Sequence, residues 1–387
     1  MQAGDIIGRS VWDGRVVRIG IEGRYIGKVE YLEDQAGLPF VGPGFFDMQV
    51  NGFRGIDYSL EDLKPAQVLA LVRHLAVSGT TRHVPTFVTM PQDRALRNLR
   101  KVSQAIREYP EVRDAIVGFH FEGPFISPED GPRGAHDRRF VRGADFRSFQ
   151  EWQEAAEGLL KLVTVAPEVE GAIDFIKAVV ATGVKVAIGH TGASVEQIHE
   201  AIAAGATVST HLGNGSYTQV PRLRNYVWEQ LAADNLQAGI ICDGFHLPGS
   251  VVKVFARAKG LGRLILVSDV ALLGGYPPGI YKWGNLDVEV FADGHLGLPG
   301  TTVLAGAAHL LDWDIPRFME FTGVSLDAAI RLCTYQPAAF LGLDTGVYQS
   351  FQEGGIADLC VFDYKVGDAR LCVRRTVLGG IDLYTRF

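Results

Sequence analysis

The stretch AIVGFHFEG at residues 115–123 decides the fold. It is an apolar run broken by His120 and Glu122 and closed by Gly123 and Pro124. A nearly continuous apolar run marks a strand covered on both faces. His120 and Glu122 lie two apart, so they leave one side of that strand, with Glu122 nearer its exit. The same kind of run recurs upstream as GFFDMQV (44–50) and TTRHVPTFV (80–88). Downstream it recurs as KLVTVAPE (161–168), VKVAIGH (184–190), ATVSTHL (206–212), QAGIICDG (237–244) and RLILVSDV (263–270). Amphipathic stretches separate these runs, including 63–79, 94–109, 170–183, 194–205 and 250–260, where apolar residues return every three or four positions. Eight strands alternating with helices predict a (β/α)8 TIM-like barrel. A doubly wound sheet is the competing reading. It would gather its unusual residues at one switch point, whereas here they end many different strands.

The two ends of the chain read differently. SVWDGRVVRIGIEG (10–23) and RYIGKVEYL (24–32) alternate polar with aromatic or β-branched residues, as do ADLCVFD (357–363), ARLCVRRTVLGG (369–380) and IDLYTRF (381–387). The expected division is a barrel over 42–345 and one small β-sandwich domain built from 1–41 and 346–387. A helical pair is expected near 305–320 and 325–341.

Composition narrows the function. The chain has 387 residues, with 37 Lys and Arg against 44 Asp and Glu, for a net charge of −7. That balance argues against a nucleic-acid surface, which needs a basic patch. With 47% apolar and 21% charged residues the chain is globular rather than disordered. Cys242, Cys333, Cys360 and Cys372 lie far apart, as buried thiols in a reducing compartment would. The charged N-terminus shows no export signal, and no apolar run approaches the roughly 20 residues that span a bilayer. A cytoplasmic enzyme with no membrane partner is expected.

The chemistry lies at the strand ends. Glu122, His190, His211 and Asp269 end the third, fifth, sixth and eighth strands, and on a barrel those ends converge on one mouth. Two imidazoles and a carboxylate form a three-ligand set for a divalent metal. Asp269 suits a general base beside a water activated by that metal, or alternatively a fourth ligand. Asp47, Gln49 and Asn51 share a face of the first strand, and the weak amide ligands there favour one metal over two.

PGFFDMQVNG (43–52), HFEGPFIS (120–127), GAH (134–136), GHT (189–191), THLGN (210–214), DGFH (243–246), VSD (267–269) and LAG (304–306) follow in one order. This set resembles the N-acetylglucosamine-6-phosphate deacetylases of the amidohydrolase superfamily, in the single-metal branch with Gln and Asn on the first strand. The resemblance covers residue 40 to the end of the chain. It implies one divalent metal per subunit, zinc first with Fe, Mn or Co also compatible, held by Glu122, His190 and His211, with Asp269 as acid/base. It implies substrate contacts from Ala135, His136, Asn214, Gly215 and Arg222, from Asp243, Gly244, Phe245 and His246, and from Leu304, Ala305 and Gly306. It also implies an amino sugar phosphate substrate and a homodimer with contacts across its interface. The chain departs from the family pattern at HLGNGS (211–216), at Arg222-Leu-Arg-Asn and at Val270, all on the substrate side. Two further readings therefore stand beside the deacetylase: the same scaffold acting on another N-acyl or cyclic amide, and a non-catalytic binding protein.

Overall fold

A computed structural model describes residues 3–284, 286–301 and 303–386. Met1, Gln2 and Phe387, at the ends of the expected small domain, lie outside the described residues. Four strands come first: β1 (Ile6–Ser10), β2 (Val16–Glu22), β3 (Tyr25–Tyr31) and β4 (Phe40–Pro43). The first barrel strand, β5 (Phe45–Val50), follows at once, and a short ribbon, β6 (Gly52–Phe53) and β7 (Ile56–Asp57), extends from its end. The barrel continues through β8 (Thr80–Phe87), β9 (Phe119–Glu122), β10 (Leu160–Val165), β11 (Lys185–Ile188), β12 (Val208–Ser209), β13 (Gln237–Ile240) and β14 (Leu264–Leu266).

These eight strands pair in the order β14-β13-β12-β11-β10-β9-β8-β5, every pair parallel. Closure comes just beyond β14. Val50 and Val270 form a parallel bridge, and the Asp269 N–H donates to the Gln49 carbonyl at 3.0 Å. The (β/α)8 barrel is thus the architecture. Helices wrap it as the periodicity requires. In Gln92–Glu108 the buried side chains include Ala95, Leu99, Val102 and Ala105, one face at three- and four-residue spacing. Helix Val195–Ala203 starts on a reciprocal cap, in which Ser194 Oγ accepts from the Gln197 N–H and Gln197 Oε1 from the Ser194 N–H. Strand alternation settles β9. Phe119 and Phe121 face the helices, where Phe121 stacks on Trp152 with centroids 4.0 Å apart. His120 sits between Thr164 (2.7 Å) and Thr86 (3.3 Å), with Glu122 beyond it toward the mouth.

A three-stranded meander, β15 (Gly279–Trp283), β16 (Leu286–Val290) and β17 (Leu296–Gly297), follows the last barrel strand. The helical pair differs from its expected bounds. Residues 305–310 stay non-helical, with Ala307 bridged to Val270, the Ala305 N–H bonded to the Leu296 carbonyl and Gly306 at a left-handed φ of 93°. The helix therefore begins at Leu311. The second stretch splits into Leu326–Arg331 and Tyr335–Phe340. Pro337 has no N–H to continue the ladder. The carbonyls freed at the break accept from barrel strands instead, Leu332 from Leu266 (3.0 Å) and Cys333 from Phe46 (2.8 Å).

The chain ends as β18 (Leu359–Asp363), β19 (Cys372–Leu378) and β20 (Ile381–Thr385), which join β1–β4 in the order β20-β19-β18-β4-β1-β2-β3. The far edge curls back, since Tyr25 of β3 bridges Ile356, and Ile6, Val17, Ile19, Val41, Leu359, Val361 and Val377 share one buried core. This is the small β-sandwich drawn from both termini. Ion pairs fasten it to the barrel, among them Arg24 with Asp114, Arg370 with Asp312 and a pair at Asp358. Arg82 of β8 donates through Nε to Asp358 Oδ2 at 2.7 Å, while Asp358 Oδ1 accepts from the Gly379 N–H. The Asp358 side chain is 1% exposed and that of Arg82 19%. Removing one partner strands the other charge. Asp358→Ala should therefore lower unfolding stability by about 3 kcal/mol, the low end for a broken buried pair because Arg82 keeps some water. Urea denaturation checks this, and a loss under about 1 kcal/mol would mean the pair does not fasten the domains.

Candidate active site

Five described non-glycine residues carry positive φ, and three of them are His190 (51°), His211 (27°) and Asp269 (51°). Each ends a barrel strand named from the sequence as chemical. Left-handed backbone is unfavourable for such residues and persists only where the surroundings over-determine it. Here the barrel supplies that: the Thr210 N–H bonds to the Ile188 carbonyl and the Leu212 N–H to Gly239, on either side of His211. The turn swings each side chain from the strand line into the mouth.

There the side chains meet. His211 Nε2 lies 3.0 Å from Glu122 Oε1 and 3.0 Å from His190 Nε2, and His190 Nε2 lies 3.4 Å from Glu122 Oε1. His136 joins them, its Nε2 3.2 Å from His190 Nε2 and 3.8 Å from Glu122 Oε2. Glu122, His136 and His190 each offer a donor atom within 4.8 Å of the others, and all are buried. Hydrogen bonds separate the imidazoles. His190 Nδ1 donates to the Pro132 carbonyl at 2.9 Å, which leaves the Nε2 lone pair free for a metal. His136 Nδ1 accepts from the Thr89 N–H at 3.3 Å, so its neutral ring carries the proton on Nε2. Burial keeps that ring neutral by pushing it down to about 3. His136 is thus a donor at the cluster, with its Nε2 facing His190 and Glu122.

The electrostatics suit a cation. Burial opposes ionisation of Glu122, yet its hydrogen bonds with His190 and His211 hold the carboxyl well below its usual range. Burial likewise opposes charge on His211, but the Glu122 hydrogen bond and charge outweigh it and raise the ring to about 9. A site that draws a proton onto a buried imidazole attracts positive charge in general. Gln49 Nε2 donates to Glu122 Oε1 at 2.9 Å, and Asn51 Nδ2 donates to Asp269 Oδ1 at 2.7 Å. The first-strand amides therefore act as donors to the carboxylates. Burial and the nearby Glu122 charge lift Asp269 to about 6, against the pull of His211, Asn51 and His246.

His246 belongs to the same mouth. Its Nδ1 sits 2.7 Å from Asp243 Oδ2, and Asp243 Oδ1 accepts the N–H groups of Phe245 and His246. Asn214 Nδ2 bonds to the His211 carbonyl at 3.3 Å. Gly215 packs on His190 so closely that a Cβ would fall 2.7 Å from Nδ1, and its φ is 55°. Gly306 lies beside Ala271, just past Asp269, Leu304 bridges Gly297 of the meander, and Ala135 and Gly244 are exposed. Arg222 is not drawn in. It is exposed, with its carbonyl accepting from the Trp228 indole, while Arg224 pairs with Glu196. Sequence reasoning missed Thr89, Pro132 and Glu168. Glu168 holds the loop after His190, its carboxylate accepting from the Thr191 hydroxyl (2.5 Å) and the Gly192 N–H (2.7 Å). Its place just past the fourth strand was the available signal.

No protein-family model matches the chain. It is 32% identical over 350 residues to a bovine N-acetylglucosamine-6-phosphate deacetylase, covering 88% of this chain and 82% of that one. It is 29% identical to the zebrafish enzyme of the same name, covering 97% and 93%. Among solved structures, a mutant Mycobacterium smegmatis N-acetyl-D-glucosamine-6-phosphate deacetylase in complex with N-acetyl-D-glucosamine-6-phosphate superposes with a TM-score of 0.85 at 26% identity, covering 99% and 100%. The Thermotoga maritima enzyme superposes with a TM-score of 0.84 at 27% identity over the whole of both chains. With relatives of this identity spanning most of its length, the chain belongs to the N-acetylglucosamine-6-phosphate deacetylase family of the amidohydrolase superfamily.

Proposed function

We propose that the chain hydrolyses N-acetylglucosamine 6-phosphate to acetate and glucosamine 6-phosphate, as a cytoplasmic homodimer with one metal per subunit. The observation that carries this reading is the meeting of Glu122, His190 and His211 at one mouth with Asp269, in a chain of this family. In this reading residues 42–345 are the catalytic barrel, and 1–41 with 346–387 are the companion domain.

Glu122, His190 and His211 would hold the metal. A bound divalent ion, zinc first with iron, manganese or cobalt suited to the same donors, supplies Lewis acidity toward the attacking water and the amide carbonyl. Asp269 takes the water proton as the water oxygen bonds to the acyl carbon. It returns that proton to the nitrogen as the C–N bond breaks, and acetate leaves. Asn51 keeps Asp269 Oδ1 occupied, which leaves Oδ2 for the proton. His136 aims its Nε2–H at the developing oxyanion. His246, held by Asp243, meets the substrate from the opposite loop. Ala135, Asn214, Gly215, Gly244, Phe245 and Leu304–Gly306 line the sugar. Arg222, although exposed outside the mouth in a single copy of the chain, would bind phosphate together with the Asn214–Gly215 amides. A different N-acyl or cyclic amide substrate is the reading favoured by one observation, the exposed position of Arg222. Acetate release from N-acetylhexosamines with and without 6-phosphate decides between the two.

Elemental analysis should find one firmly held ion per chain, and His211→Ala should lose most of it, since two remaining ligands chelate poorly. Two firm ions would refute the single-metal reading. Asp269→Asn should keep the metal and lose turnover by roughly 10²–10⁴-fold, the scale of general acid–base help. Loss of the metal with recovery in excess metal would instead make Asp269 a ligand. Arg222→Ala should raise KM for the 6-phosphate and cut kcat/KM by about 10–150-fold, the equivalent of about 1.5–3 kcal/mol for a charge-assisted contact. Equal kcat/KM for both substrate forms, unchanged in that variant, would remove the phosphate from the reading.

A further inference from the structure

Beside the reacting groups, six planar side chains from three separate segments form one continuous column. Phe291 stacks on His295 (4.2 Å between centroids, 3° between planes) and His295 on Phe245 (4.7 Å, 25°). Phe245 faces His309 (5.7 Å, 18°), and His309 stacks on Trp313 (4.2 Å, 10°). The Arg317 guanidinium caps the far end, 4.6 Å from the Trp313 ring centre. Offset stacked rings attract through their quadrupoles, and a cation gains on an open ring face.

The middle ring, Phe245, is the chain neighbour of His246. The column grips this loop a second time, because Trp313 Nε1 donates to the Asp243 carbonyl at 2.9 Å. Asp243 is the residue whose carboxylate orients His246. The loop is thus fixed at both residues that determine where His246 points. His309 contributes only its flat face, since its buried Nε2 has no partner among the described residues. Asp293 fixes the next ring, its carboxylate 2.6 Å from His295 Nδ1.

We infer that this column is the positioning device for His246, with His309 and Trp313 as positioning residues that act through Phe245 and Asp243. The inference rests on the deacetylase reading of the site. A loop already fixed need not be ordered when substrate arrives, so its loosening is paid in binding. His309→Ala in the metal-loaded enzyme should raise KM for N-acetylglucosamine 6-phosphate about tenfold and change kcat less than about threefold. Amide hydrogens of residues 243–248 should exchange about fivefold faster or more, while β9–β11 keep their protection. His309→Phe, which restores a ring without the stranded nitrogen, should return both readouts to wild type. An unchanged KM in His309→Ala, no rescue by His309→Phe, or faster exchange spread over the barrel would overturn the inference. If the wild-type enzyme releases no acetate from this substrate, the substrate reading has failed, and loop exchange alone decides whether the column holds the loop.

Discussion

The mouth of this barrel is organised around one buried negative charge. Glu122 sits on a strand packed on both sides and has almost no water, so its ionisation must be stabilised by neighbours. His190, His211 and Gln49 all turn toward it. The cost of that charge explains the left-handed backbone at His190 and His211: a relaxed turn would aim the rings elsewhere and leave the carboxylate unpaired.

The barrel was legible because strands covered on both faces are apolar nearly throughout, so a polar side chain near the exit of β9 or β14 stands out. The meeting of Glu122, His190 and His211 at one mouth followed from the same contrast. What was not legible is the division of labour among the imidazoles. His136 enters the cluster from a loop, and its proton position depends on the Thr89 N–H, 47 residues away in sequence. No local pattern carries that information. Glu168 was hidden for a related reason, since its partners are loop groups fixed only after folding.

The errors at 305–310 and 332–334 share a cause. Both segments have helical composition, but each exchanges helical hydrogen bonds for bonds to strands, the first to the meander at Leu296 and the second to the barrel at Leu266 and Phe46. Tertiary pairing overrode propensity where the seam between the first and last strands had to be covered. Arg222 is the opposite case. Its motif position named it, yet one copy of the chain leaves it at the surface.

The sandwich drawn from both termini also has a consequence for how the protein is made. Val41 of β4 pairs with Val361 of β18, so the partner of this early strand emerges from the ribosome some 320 residues later, by the numbering of that register. Until then β4 offers an open edge on the β18 side, the kind of surface that invites pairing with foreign chains. The barrel can condense strand by strand as it is synthesised, while the sandwich must wait for the last strands. Its completion is therefore the final folding event, and a chain truncated by a few dozen C-terminal residues leaves that edge exposed for good.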